Sequence, residues 1–376
     1  MENSFGHIVS IVKTTAARLL PFQWLLMIAH VRSSAYRMDF CTAALTGMLF
    51  LTLSTTEKVW AQSTENVQPH SPPQSLIVVI GASGTPQFEI SFYQWSERWV
   101  AAARETGVSV TVIGRHRGEV ANEVSDYDRL RDAIHKENND SQSELWIVLI
   151  GHGTFDRRAA KFNLRGPDLS ADELNEWLKP IRRPIAIINC ASASGAFIPV
   201  LASPNRIVVA ATKSGTEVNF SRFGDYMSQA IADPAADLDK DNQTSLWEAF
   251  LMASRRTAEY YDSDGRIATE HALLDDNGDG NGVRADQFRG LSAIVKPSEA
   301  PPQDGRRAHQ WHLVPNSLDS ALPPEVKAER NRLELAVEQL RDRKGDLPRD
   351  DYLAELERLL VELAELNERQ ENNGSQ

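Results

Sequence analysis

Apolar residues along the chain follow two rhythms. Short unbroken runs, LIVVIGASG from Leu76, VSVTVIG from Val108, LWIVLIGHG from Leu145, PIAIINCAS from Pro184 and RIVVAAT from Arg206, each stop at glycine or small residues. Between them lie segments of helical spacing: WSERWVAAARETG, closed by Gly107, then DYDRLRDAIHKENN, then SADELNEWLK. In the last, Ser170 as N-cap and Glu173 three residues on form a capping box. Continuous apolar strands are buried on both faces, so their alternation with helices predicts a mostly parallel sheet between two helical layers. In such sheets chemistry gathers where loops leave the carboxyl ends of the strands.

The pattern divides the chain into five pieces: an extension at 1–61, a polar, proline-bearing linker at 62–75, the α/β domain at 76–295, a second linker or ordered strap at 296–322, and a helical hairpin at 323–376. Within the extension, Arg32 and Arg37 precede the apolar FCTAALTGMLFLTL, and Val59-Trp60-Ala61 offers a cleavage point. This is the plan of a secretory signal, and it implies export to the periplasm or the medium. Met38 sits just before it, so residues 1–37 read as an over-extended start. Their apolar LLPFQWLLMIAHV supports the alternative of an N-terminal membrane anchor. At the other end, Leu333, Val337 and Leu340, then Leu353, Leu356, Leu360 and Leu363 after the Gly345–Pro348 break, describe two amphipathic helices. They are expected to form an antiparallel hairpin packed on itself or on the domain, or to serve as a partner-binding or oligomerising module.

Composition narrows the function. The 376 residues carry 40 Lys and Arg against 52 Asp and Glu, a formal charge of −12. With no clustered basic face, a nucleic-acid partner is not expected. The two cysteines, Cys41 and Cys190, exclude a disulfide framework, and export would remove Cys41.

The chemistry falls at two strand ends. His152 follows one apolar run within Gly-His-Gly, and Cys190 ends the next within NCASASG. A thiol attacks as thiolate, and a nearby imidazole can take its proton. Either residue alone reads as a core side chain; the pair, spaced by one helix, reads as a nucleophile and its base. The bare glycines would let a peptide approach the backbone, with the N–H groups of Gly153 and Cys190 facing a developing oxyanion.

The order strand-His-Gly, helix, strand-Cys-small-Ser, strand-Ala-Thr resembles the legumain-like cysteine peptidases, relatives of the caspases. VVAATKSGTEVNFSRFGDYMSQAI is similar to the family's segment leading into a Gly-Asp-aromatic motif, here Gly224-Asp225-Tyr226, and ATEHALLDDNGD to its closing strand, with His271 and Gly278 in matching places. Over roughly 75–290 the resemblance implies a caspase-like α/β/α fold and peptide hydrolysis through an acyl-enzyme on Cys190, with His152 as acid and base and Asp225 in the specificity pocket. It departs at Ser83, where the family has Asn, at TPQFEISFYQW, which lacks the family's Arg-His pair, and beside the cysteine, where Ile188 and Ala191 replace acids. A pocket with Asp225 and Glu217 but no arginine would favour a basic residue before the cut bond. No cofactor is required for such catalysis, and the partner is a protein or peptide substrate. A transamidase using the same acyl-enzyme, or a catalytically silent calcium-binding interaction protein, are the alternatives.

Two acidic stretches have calcium-loop spacing. DLDKDNQTSLWE puts Asp237, Asp239, Asp241, Ser245 and Glu248 at positions 1, 3, 5, 9 and 12, with a carbonyl from Gln243 at position 7 and Asn242 where glycine is usual. DDNGDGNG sets Asp275, Asn277, Asp279 and Gly280 in the same register and ends on Asp286. The first is otherwise a helix start with acids in its opening turn, the second an Asp-Gly turn.

Overall fold

In the computed structural model the described residues are 74–115, 124–137, 143–293 and 304–373. The expected signal or anchor, Cys41, nearly all of the 62–75 linker and residues 296–303 lie outside them. Among the described residues no helix is long and apolar enough to cross a membrane.

Strands β1 (Ser75–Ile80), β2 (Ser109–Ile113) and β3 (Leu145–Ile150) are followed by a small antiparallel sheet of β4 (Gly153–Phe155), β5 (Ala160–Phe162) and β6 (Leu169–Ser170), then β7 (Ile185–Asn189), β8 (Arg206–Ala210) and β9 (Leu273–Asp275). The main sheet has the order β2-β1-β3-β7-β8-β9, parallel throughout except for β9. Alternate residues of each strand feed opposite faces. Leu76, Val78, Trp146, Val148, Ala186 and Ile188 enter one core; Ile77, Val79, Leu145, Ile147, Ile185 and Ile187 enter the other. The first core is capped by helices α1 (Pro86–Arg104), α5 (Phe223–Ala230) and α6 (Leu246–Ser263), the second by α2 (Asp126–Lys136), α3 (Ala171–Leu178) and α4 (Ile198–Leu201). This is the three-layer α/β/α architecture that the rhythm predicts, and the capping box at Ser170 and Glu173 is present.

Three elements differ from expectation. Helix α1 starts nine residues before WSERWV, because Thr85 caps it and Pro86 presets its first turn. The segment TPQFEISFYQW is therefore mostly helix, and it carries Phe88, Phe92, Trp95 and Trp99 at intervals of four, three and four along one side. Residues 304–322, placed in a linker or strap, hold helices α7 (Arg306–His309) and α8 (Ser317–Ala321) and bury Ala308, Trp311 and Leu313 in the first core. They are a strap and not a flexible connection. The small antiparallel sheet had no sequence signal beyond three very short runs.

The hairpin consists of α9 (Pro324–Asp342) and α10 (Arg349–Asn373). Leu333, Val337 and Leu340 meet Tyr352 and Leu359 in a separate core, flanked by Leu356, Leu363 and Leu366. Helix α9 is tied to the domain by Lys327 to Glu144 at 3.2 Å and Arg330 to Asp319 at 2.7 Å.

Candidate active site

Strands β3 and β7 are neighbours, with Leu149 beside Asn189, so His152 and Cys190 leave adjacent carboxyl ends. Both lie on the side of the sheet covered by α1 and α5. The His152 ring is framed by Phe88, Phe92 and Phe220, with centroids 4.8, 5.2 and 5.9 Å away. Cys190 belongs to the same core, among Phe92, Trp95 and Phe223.

The imidazole is oriented through Nε2, which lies 3.2 Å from the Ser83 carbonyl. A carbonyl only accepts, so Nε2 carries the hydrogen and Nδ1 is left as the basic nitrogen. The Asn missing at position 83 is thus not needed to orient the histidine: the backbone after β1 does it. Burial holds the His152 pKa below its ordinary value, against the opposing pull of the Ser83 carbonyl.

Cys190 is only 1% exposed. Burial, with a smaller contribution from the Glu270 carboxylate, pushes its thiol up to about 12. Its Sγ makes no hydrogen bond to His152 or to any other described residue. A Cβ on Gly224, in the first turn of α5, would come within 2.7 Å of the Cys190 Cβ and 2.8 Å of the Trp95 ring, so the cysteine fits only because position 224 is bare. In this conformation imidazole and thiol are both neutral, and the thiol is enclosed.

The glycines serve the fold and not an approaching peptide. A Cβ on Gly153 would lie 2.1 Å from the Ser192 carbonyl, and one on Gly151 would meet Phe162 at 3.0 Å. Close packing of the chain on itself requires a bare residue at 153, and Gly151 sits tight against the Phe162 ring. The expected oxyanion donors are also occupied. The Cys190 N–H donates to the Leu149 carbonyl at 2.9 Å within the sheet, and the Gly153 N–H reaches the Ser192 hydroxyl at 3.4 Å.

A loop at 211–222 closes over this centre. It brings Phe220 onto Phe88 at 4.5 Å, and it is clamped by two acids. Glu270, buried, accepts from the Ser221 hydroxyl at 2.6 Å, from the Arg222 and Phe223 N–H groups and from the Tyr261 hydroxyl. Glu217 holds the His271 ring at 2.6 Å and accepts from the N–H groups of His271 and Lys213. The Glu217 carbonyl also takes the Ala193 N–H at 2.8 Å, fixing Ala193 at φ 57° in the loop after the cysteine. A left-handed alanine is strained and persists only where its surroundings over-determine it.

The acidic pocket expected from Asp225 and Glu217 is not formed. Asp225 receives Arg98 from α1 at 2.5 Å and the Gln229 amide at 2.9 Å, so an arginine from the WSERWV stretch of that helix, not from the following loop, neutralises it. Glu217 is spent on the clamp. Ser83 contributes its carbonyl. Sequence reasoning missed Phe220, Glu270 and Arg98. The aromatic stripe of α1 was legible as a helical repeat, whereas Glu270 has no local signal.

The two calcium-like loops fold alike. Asp237 accepts from the N–H groups of Lys240 and Asn242, and Asp275 from those of Gly278 and Gly280, the fourth and sixth positions in each loop. Asp239 and Asn277 each accept from the N–H two residues on, as do Asp241 and Asp279. Lys240 and Asn242 are left-handed at φ 64° and 68°, and Gly278 and Gly280 both at 78°. Asn242 thus takes the conformation that glycine normally supplies. One oxygen each from Asp237, Asp239 and Asp241 lie within 4.8 Å of one another. Burial, with the Asp239 and Glu248 charges, raises Asp241 to about 6.

Other donors are engaged elsewhere. Ser245 and Glu248 form the capping box of α6, and Glu248 also accepts from the Leu238 N–H. The Gln243 side chain bonds the Asn316 N–H and the Asp241 carboxylate. Asp239 is paired with His309 at 3.1 Å. Asp286 is exposed and paired with Arg284, so it does not close the second loop.

No family model matches the chain, and no curated protein matches it. Among solved structures it is similar to the Drosophila initiator caspase Dronc, at 13% identity and a TM-score of 0.39, covering 58% of this chain and 85% of that one. It is also similar to caspase-1 from Spodoptera frugiperda, at 11% identity and a TM-score of 0.35, covering 56% and 89%.

Proposed function

We propose that the protein is a cysteine endopeptidase held in a closed form, with Cys190 as nucleophile and His152 as its base, hydrolysing peptide bonds in a protein or peptide substrate. The observation that carries this reading is the departure of His152 and Cys190 from the carboxyl ends of paired strands on one side of the sheet, with Nε2 of the imidazole fixed by Ser83. On opening, Nδ1 would take the thiol proton, the thiolate would attack the carbonyl carbon, and the imidazolium would return its proton to the leaving amine. Water, activated by the same nitrogen, would then release the acyl group. An amine in place of water would give the transamidase.

Calcium belongs to this proposal as a structural ion. Asp237, Asp239 and Asp241, with the Gln243 carbonyl, would hold it in the first loop, and Asp275, Asn277 and Asp279 in the second, stiffening the segments beside α6 and β9. The legumain-like affiliation and export, periplasmic or secreted, belong to it as well.

The enclosed thiol favours a second reading, a calcium-stiffened interaction protein whose dyad is silent. Labelling with an electrophilic peptide probe separates the two. Labelling of the wild type that is lost in both Cys190→Ala and His152→Ala supports the peptidase. Its absence in every form, with and without calcium, or its persistence in His152→Ala, overturns it.

A further inference from the structure

At the opposite end of the strands, where β7 and β8 begin, lies an open cavity of about 380 Å³ between the end of α3 and the turn leading into β8. Its polar lining is Asn175, Lys179, Arg182, Ser203, Asn205 and Arg206, three cations and no acid. In a protein of net charge −12 this is a local inversion of sign.

Arg206 makes the cavity unusual. It is 7% exposed, and its guanidinium donates from Nη1 to Asn175 Oδ1 at 2.6 Å and to the Leu201 carbonyl at 3.1 Å. Both acceptors are neutral, and among the described residues no carboxylate lies within ion-pair distance of it. Among the described residues the other buried arginine, Arg183, has Glu137 at 2.7 Å, and the partly buried Arg330 has Asp319 at 2.7 Å. A buried cation without a counter-charge is costly, and a guanidinium whose remaining N–H groups lack protein acceptors presents a fork suited to an oxyanion. Arg182, at the cavity wall, is exposed and makes no ion pair among the described residues. Lys179 reaches only the exposed Glu176.

We propose that this cavity binds a tetrahedral oxyanion of the phosphate class, free or carried on a phosphorylated molecule, with Arg206 as the buried fork and Arg182 and Lys179 supplying charge at the mouth. The site stands at the amino ends of β7 and β8, and Cys190 leaves the carboxyl end of β7. It is independent of any catalytic role.

The test is the melting temperature of the full chain titrated with inorganic phosphate at fixed ionic strength, chloride being replaced, with acetate and a phosphoserine peptide as parallel arms. Phosphate is expected to raise the Tm by roughly 2 °C along a saturating curve. The rise disappears in Arg206→Met and needs at least threefold more phosphate in the Lys179→Ala/Arg182→Ala double variant, whose exposed positions leave folding intact. A rise with the peptide as well assigns a carried phosphate; a rise with phosphate alone assigns the free ion. No rise in the wild type, an equal rise with acetate, or an unchanged rise in the double variant, the signature of general salting-out, overturns the site.

Discussion

Enclosure of Cys190 makes a quantitative demand on its reactivity. Its pKa is raised from 9.0 to about 12, which lowers the thiolate fraction at neutral pH about a thousandfold, or about 4 kcal/mol. Alkylation by iodoacetamide therefore proceeds through transient opening, and Phe220 and its clamp set how often that occurs. In a Cys41→Ser background, labelling at pH 7.5 followed by mass spectrometry is expected to be at least a thousandfold slower in native protein than in guanidinium. Phe220→Leu removes the ring that covers His152, and Glu217→Gln removes the carboxylate that holds the His271 ring. Each is expected to speed labelling tenfold or more while the circular dichroism spectrum stays native. Native labelling within tenfold of the denatured rate would refute the enclosure. An unchanged rate in both folded variants would refute the loop at 211–222 as its gate.

Calcium at millimolar concentration is expected to raise the melting temperature relative to chelator, and Asp237→Ala to abolish most of the rise; no shift in the wild type removes the ion from the proposal. Asp304 is pushed up to about 8, first by burial and then by the Asp276 charge, while it accepts the Asp276 and Asn277 N–H groups. Its proton is held in the fold and released in the unfolded chain between about pH 4 and 8, so its contribution is complete below that window and declines as pH rises through it. Asp304→Asn keeps the acceptor oxygen and is expected to flatten the fall in Tm from pH 6 to 8, and an unaltered slope contradicts the assignment. Leu359 is buried in the hairpin core, and Leu359→Ala is expected to cost about 2–4 kcal/mol there. Hydrogen exchange should show that loss in α9 and α10 with the sheet amides unaffected; equal deprotection of β3 would mean the hairpin and the domain unfold together.

The sequence by itself determined the layers, because the strands must be apolar on both sides and the helices on one, and those periods are local. It also marked His152 and Cys190 as strand-end residues, and Asn242 as a left-handed position, since each depends on a few neighbours. The state of the site was decided by the tertiary structure. Phe220 comes from a loop beyond the strand that follows Cys190, and Glu270 and His271 from a segment far beyond that loop, and no pattern near the dyad announces them. Asp225 looked like half of an acidic pocket until Arg98 arrived from another helix. Gly151 and Gly153 looked like room for a substrate, yet Phe162 and Ser192 fill that room. Burial, pairing and close approach depend on which elements the fold brings face to face, and so the charge of a pocket and the reactivity of a thiol appear only once the chain has folded.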